Sequence, residues 1–245
     1  MGHVCVLRAV FPFMSHLNTI MRGEASEQKF EDYQSWMSDP EEARLYTESQ
    51  HSGSVGPAIT LARKEKKRLS TVHSLLDVGG GSGGFSMTLA QQFPDMHCIV
   101  MDFENVCTVG EGFLARQSAD VAARVSFTPG NALTSKLPPG QDAILLSYLC
   151  GSVPAESLPD LYARCVEALN PGGMLIVHDF MVENSMDGPK LTALWALQHM
   201  IFVPGGVGLT PGLIGGMMLE AGLSHVETAE HIPDMTKRVI GVKTA

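Results

Sequence analysis

The sequence predicts an α/β fold: a doubly wound, seven-stranded sheet with a C-terminal antiparallel hairpin, preceded by a helical N-terminal segment. Three observations predict it. From Ser74 onward, short apolar runs alternate with helix-like stretches, the pattern of a parallel sheet covered on both faces. The first run, Leu75-Leu76-Asp77-Val78, leads directly into Gly79-Gly80-Gly81-Ser82-Gly83-Gly84 and then a helix. The last two runs, His225 to Ile232 and Lys237 to Lys243, are joined by the Pro233-Asp234 turn with no helix between, so one terminal strand must be antiparallel to its neighbour.

Taken in order, residues 1–70 read as a helical, polar segment and 71–245 as the domain built on the sheet. Phe30, Tyr33, Trp36 and Met37 recur at three and four, the spacing of one packed helix face. Asp39 is an N-cap with Pro40 at the first helical position. Pro57 is expected to open a further helix, closing on the solvated basic run Arg63 to Arg68, where cations offset the negative end of the helix dipole. Strands are expected at about 74–78, 97–102, 125–128, 143–148 and 174–180. Helices are expected at about 85–93, 106–117, 155–169 and 190–202. Thr210-Pro211 starts a last helix and Gly222 caps it.

A chain of 245 residues with 44% hydrophobic residues has room for a large core. A net charge of −9 argues against nucleic acid or an anionic membrane as main partner. Cys5, Cys98, Cys107, Cys150 and Cys165 are odd in number and scattered, which suggests neither a disulfide framework nor a zinc site, and no Asp/His cluster has metal-ligand spacing. No run is long enough to span a bilayer. The apolar run Val4 to Met14 lacks a basic leader and contains Arg8, so it is not expected to be a signal peptide, and a cytoplasmic location is the default.

The glycine turn lets a ligand lie against the backbone at the carboxyl end of a strand, where open α/β sheets bind nucleotides. Gly79, Gly81 and Gly84 fit a dinucleotide fingerprint, whereas Gly79, Gly81 and Gly83 fit the G-x-G-x-G form. Asp102, ending the next strand, suits ribose hydroxyls in either case.

The ordered set of Asp77-Val78-Gly79-Gly80-Gly81-Ser82-Gly83, Asp102, Gly130-Asn131 and Leu169-Asn170-Pro171-Gly172-Gly173, with the closing hairpin, resembles the class I S-adenosylmethionine (SAM) methyltransferases and their Rossmann-like sheet. Cys165-Val166-Glu167-Ala168-Leu169, Asp39-Pro40-Glu41 and Ser52 to Ser54 narrow the resemblance to the hydroxyindole/caffeate-type small-molecule methyltransferases. It covers the chain from about Pro12 onward and resolves the glycine ambiguity in favour of SAM. It implies Gly79, Gly81 and Gly83 at the methionyl part of SAM, Asp102 on the ribose, Phe103, Asn131 and Ala132 around the adenine, and Ser147 nearby. It also implies a small-molecule substrate pocket with Tyr46, Gln50, His51, Tyr148, Trp195 and His199, and Asp179 and His178 as catalytic candidates. Only the last part of the family's N-terminal dimerisation domain fits, so a homodimer is an expectation on resemblance alone.

The family's catalytic histidine falls at Gly151, which cannot accept a proton. A phenol needs a base; a thioether sulfur attacks with a lone pair and needs none. Together with Ser147 to Pro154 and His178 to Val182, this resembles the S-methyltransferases of dimethylsulfoniopropionate synthesis and gives a thioether such as 4-methylthio-2-hydroxybutyrate as the first expectation for the acceptor. An O-methyltransferase with a relocated base, or a SAM-binding paralogue without activity, stays open.

Overall fold

A computed structural model of the chain describes residue 22, residues 33–202 and residues 208–244, the side chains of 198–202 excepted. Helices α1 (Tyr33–Met37), α2 (Pro40–Lys64) and α3 (Lys66–Leu69) precede the sheet. Its strands are β1 (Ser74–Val78), β2 (His97–Asp102), β3 (Val125–Pro129), β4 (Gln141–Ser147), β5 (Leu169–Asp179), β6 (Leu223–Ile232) and β7 (Thr236–Lys243). Between them lie α4 (Gly84–Gln92), α5 (Glu104–Leu114), α6 (Ala119–Ala122), α7 (Leu158–Ala168), α8 (Lys190–Phe202) and α9 (Pro211–Glu220). The seven strands are ordered β3-β2-β1-β4-β5-β7-β6. β1 to β5 run parallel, and β7 is antiparallel to both β5 and β6. The winding reverses between β1 and β4, so the crevice at their carboxyl ends is where this topology binds ligands.

Alternation along the strands sends successive side chains to opposite faces. Leu76, Val78, Ile144, Leu146, Leu175 and Val177 pack under α7 and α9, against Leu161, Tyr162, Cys165, Ile214 and Met218. Leu75, Val100, Leu145 and Ile176 pack on the other face with Phe85 and Leu89 of α4 and Ala58, Leu61 and Ala62 of α2. Asp77 and His178 fall on this second face by the same alternation, and Asp179 on the first.

Three expectations change. Pro57 does not open a helix: α2 runs through it for 25 residues, because Ala58, Leu61 and Ala62 are completed by the core on the far side of the proline. The basic run is not merely solvated. Lys64 Nζ donates to the carbonyls of Glu230 and His231 at 2.8 and 3.0 Å, and Arg68 pairs with Glu65 and Glu227. It thereby clamps α2 and α3 to β6. Finally, β5 already begins at Leu169, which pairs with Gln141 before a register shift at Gln141/Ala143 takes up the Pro171-Gly172-Gly173 turn. Phe30 lies outside the described residues. Asp39 caps α2 as expected, accepting from the N–H groups of Glu41 and Glu42. Among the described residues no helix is long and apolar enough to cross a membrane.

Candidate active site

The cofactor half is built at the ends of β1 and β2. Gly79, Gly81 and Gly83 have φ of 66°, 58° and 72°, the left-handed region that a side chain strains. A Cβ placed on Gly81 would meet nothing within 4 Å, so the loop leaves open space on that side. Asp102 spans the turn: Oδ2 accepts the Gly81 N–H and Oδ1 the Phe103 N–H, both at 2.8 Å. Behind the loop, Asp77 is buried and accepts from Ser86 Oγ at 2.8 Å. Burial lifts Asp77 to about 7, with Ser86 opposing and the Asp102 charge adding to the rise. Burial likewise lifts Asp102 to about 6 against its two backbone donors. Among the described residues no Lys, Arg or His side chain is ion-paired with either acid. Two unpaired carboxylates beside an open glycine loop fit a ligand that brings its own positive charge, as the sulfonium and ammonium of SAM do.

The N-terminal helices lie over this half. Asn131 Nδ2 donates to Gln34 Oε1 at 2.8 Å, while its Oδ1 accepts the Leu133 N–H. The Ala132 carbonyl is taken by Arg164. Asn105 Nδ2 donates to the carbonyls of Met37 and Ser38. Tyr46 and Trp36 pack with Phe103 around Met37 and Val106. His51 is stacked on Phe113 with centroids 3.9 Å apart, and its Nδ1 lies 2.8 Å from Ser82 Oγ. These contacts tie His51 to the glycine loop rather than to the acceptor end. Gln50 is half-buried, and its amide reaches Ser49 Oγ at 3.5 Å.

A second cluster is built at the ends of β4 and β5. Tyr148 has φ of 57°, unusual for a bulky residue and a mark of functional sites. Its ring stands 5.3 Å from Phe180, which stacks at 4.5 Å on Trp195 of α8. The three rings form a rail along one side of the site. Asp179 is buried, with Oδ1 accepting the Phe180 N–H at 2.8 Å and Oδ2 the Gly151 N–H at 3.3 Å. Burial lifts it to about 7 against these donors. His199 belongs to α8, and its side chain is outside the described residues.

His178 is not placed as a base would be. It is fully buried; Nδ1 meets Ser147 Oγ at 2.9 Å and Nε2 meets Thr236 Oγ1 at 3.0 Å. Its ring is boxed by Phe85, Tyr148 and His231. Burial, then His231 and Arg238, push its pKa well below the ordinary histidine value. Adjacent strand residues face opposite ways, so His178 and Asp179 lie on different faces of the sheet, with the Tyr148 ring 4.6 Å from that of His178. Ser147, expected near the cofactor, has its hydroxyl turned to this histidine. Two residues of this neighbourhood were not among the expected site residues: Asp77, quoted only as part of the glycine motif, and Phe180. The acid inside Leu75-Leu76-Asp77-Val78 was a usable signal, whereas nothing in the order of residues pairs Phe180 with Trp195.

Residues 23–224 match the O-methyltransferase domain family. The chain belongs to that family. Curated relatives include a 3-hydroxy-5-methyl-1-naphthoate 3-O-methyltransferase from Streptomyces sahachiroi, 29% identical over 71% of this chain and 50% of that protein. A 3-O-methylredipecamine 2-O-methyltransferase from Carapichea ipecacuanha is 30% identical over 67% of this chain and 42% of that protein. The chain thus spans about half the length of the curated relatives it matches. Human N-acetylserotonin methyltransferase, solved in complex with SAM, superposes with a TM-score of 0.82 at 17% identity, covering 95% of this chain and 67% of that one. An O-methyltransferase family protein from Burkholderia thailandensis gives 0.82 at 19% identity, covering 99% and 70%. These two likenesses establish the same fold. SAM is the cofactor of this O-methyltransferase domain, and Gly79 to Gly83 with Asp102 have the conformation and charge to hold it.

Proposed function

We propose that this domain methylates a hydroxyl oxygen of a small, planar aromatic acceptor, with Asp179 as the base. What carries this reading is Asp179 itself: a buried carboxylate lifted to about 7, at the end of β5, with the Tyr148, Phe180 and Trp195 rings nearby. A general base works best with a pKa near the working pH. The relatives named as O-methyltransferases of a naphthoate and of 3-O-methylredipecamine support an oxygen acceptor over the thioether.

When bound, SAM supplies a methyl group already activated by a sulfonium. The residues of this chain do the rest. Gly79, Gly81 and Asp102 hold the cofactor, and the aromatic rail aligns the acceptor ring, since alignment is a large share of a displacement reaction. Asp179 takes the hydroxyl proton as the oxygen attacks. Because residue 151 has no side chain, the proton passes to Asp179 directly rather than through an imidazole. His178 supports the ends of β4, β5 and β7 without touching the acceptor.

Gly151 also favours a second reading, methylation of a thioether that needs no base. Turnover of SAM against a panel of phenols, hydroxyindoles and thioethers separates the two. Turnover on phenols or hydroxyindoles is expected; turnover confined to thioethers would reverse the assignment, and SAM binding without turnover would point to a non-catalytic paralogue. Self-association as a homodimer and a cytoplasmic location belong to the same proposal; light scattering on the full-length protein tests the first.

A further inference from the structure

We infer that His51 of α2 is a positioning residue for SAM: through its hydrogen bond to Ser82 it holds the glycine loop in the shape that receives the cofactor. This role holds whichever acceptor is methylated, because it concerns the cofactor alone. Residues 79–84 read Gly-Gly-Gly-Ser-Gly-Gly, so Ser82 is the one side chain by which another element can grip the loop. Glycine loses more backbone freedom on ordering than any other residue, so this run is costly to fix. Backbone bonds hold its ends: the Gly79 N–H donates to the Met101 carbonyl at 2.8 Å and the Gly83 N–H to the Gly80 carbonyl at 2.9 Å. The Ser82 hydroxyl is not spent on capping α4, whose cap residue is Gly83. It is buried instead, 2.8 Å from His51 Nδ1. Among the described residues this is the one side-chain hydrogen bond between α2 and the loop.

His51 is well fixed for this task. Its ring stacks on Phe113 of α5 at 3.9 Å between centroids and 16° between planes. The Arg116 guanidinium lies 5.4 Å from the Phe113 centroid. His51 thereby bridges α2, the glycine loop and the end of α5. The helix needs the contact as much as the loop does. After His51 it continues Ser52-Gly53-Ser54-Val55-Gly56-Pro57, with two glycines and a proline that leaves the Gly53 carbonyl without its helical donor. Ser54 Oγ donates back to the His51 carbonyl at 2.7 Å, and it packs so closely on the start of α4 that a Cβ on Gly84 would run into it. Further along, Lys64 anchors α2 on the Glu230 and His231 carbonyls, which makes the helix a firm post for the loop. Burial, then Arg116, lower the His51 pKa, so the ring is neutral at pH 7.5 and adds no charge beside a positively charged cofactor.

Three variants separate the bond from the stack. His51→Phe keeps a ring on Phe113 and removes the bond. His51→Asn keeps an amide group near the place of Nδ1 and removes the ring. Ser82→Ala cuts the bond from the loop side. The readouts are the SAM dissociation constant by calorimetry at pH 7.5 and amide hydrogen exchange of Gly81 and Gly83 by NMR in the cofactor-free proteins. His51→Phe and Ser82→Ala should each weaken SAM about three- to tenfold, the scale of one neutral hydrogen bond. Each should speed exchange at Gly81 and Gly83 by a similar factor while the β1 amides hold. His51→Asn should stay within about twofold of wild type in both readouts. The double variant His51→Phe with Ser82→Ala should do no more than either single one, because both cut one bond. Unchanged SAM affinity in His51→Phe and Ser82→Ala overturns the inference. So does a His51→Asn that loses as much as His51→Phe, since the stack and not the bond would then be what matters. Additive losses in the double variant overturn it as well. None of these results bears on Asp179, so this inference and the proposed base stand or fall separately.

Discussion

The two halves of the crevice hold acids of similar character in different ways. Asp77 and Asp102 are held within one continuous stretch: Ser86, Gly81 and Phe103 supply the donors, all from β1, β2 and the elements that follow them. Asp179 is held by Gly151 from the turn after β4, and its surroundings come from α8 as well. The acids of the cofactor half thus sit in a local motif that any sequence with that order of residues can form. The acceptor half exists only once distant elements have packed.

The sharpest break between the halves should come from Asp179→Asn. It removes the base and leaves the glycine loop alone, so kcat on a phenol should fall about 10²- to 10⁴-fold while SAM affinity by calorimetry holds. Equal losses in both would mean that the halves are not separable. Asp102→Ala is the mirror experiment. SAM affinity should weaken about tenfold or more through lost charged hydrogen bonds, and an unchanged dissociation constant would remove Asp102 from the cofactor site. A smaller effect is expected of Trp195→Ala, which shortens the aromatic rail. Acceptor KM should rise roughly five- to tenfold, about the worth of one aromatic stacking pair, with SAM affinity unmoved; a changed SAM affinity and unchanged KM would move Trp195 to the other half.

The smallest effect is on stability. Asp77 and Asp179 are acids whose folded pKa, about 7, lies above the unfolded value, so the fold prefers them protonated. Their penalty grows as pH rises through the unfolded pKa and levels off above the folded one. Raising pH from 6.5 to 8 should therefore cost about 1–2 kcal/mol through these two acids, and roughly 1 kcal/mol or less net in the cofactor-free protein, read from urea midpoints. His178 and His231 have lowered pKa values, His231 at about 4, so both are neutral in the folded state while their unfolded forms still lose protons above pH 6.5; together they oppose the trend by roughly 0.8 kcal/mol. Added SAM should offset the Asp77 share, since its positive charge favours the ionised acid. A midpoint that rises over this range would show that these acids are not the buried, unpaired groups described.

How much of this was legible in the sequence follows the same division. β1 falls on residues 74–78 as expected, and the closing hairpin, the glycine loop and Asp102 all lie where periodicity and turn chemistry put them. Pro57 misled because a proline's local preference was overridden by packing on both sides of it. His178 and Asp179 were both candidates at one strand end, and the sheet's pleat turns them to opposite faces, which the order of residues does not decide. Tyr33 was read as one member of an apolar stripe. Its ring contact with Tyr46, on the next helix, is the kind of tertiary contact that leaves no periodic trace.

The central claim is that an ionisable carboxylate, Asp179, takes the acceptor proton at a position where residue 151 offers no side chain. The most direct measurement is the pH dependence of kcat for SAM and a phenolic acceptor between pH 5 and 9, in wild type and in Asp179→Asn. The account predicts a rate that climbs with pH to a midpoint near 7, set by Asp179, and a variant that has lost both this limb and most of its turnover. A wild-type rate independent of pH across that range, or a limb that survives in Asp179→Asn, would contradict it.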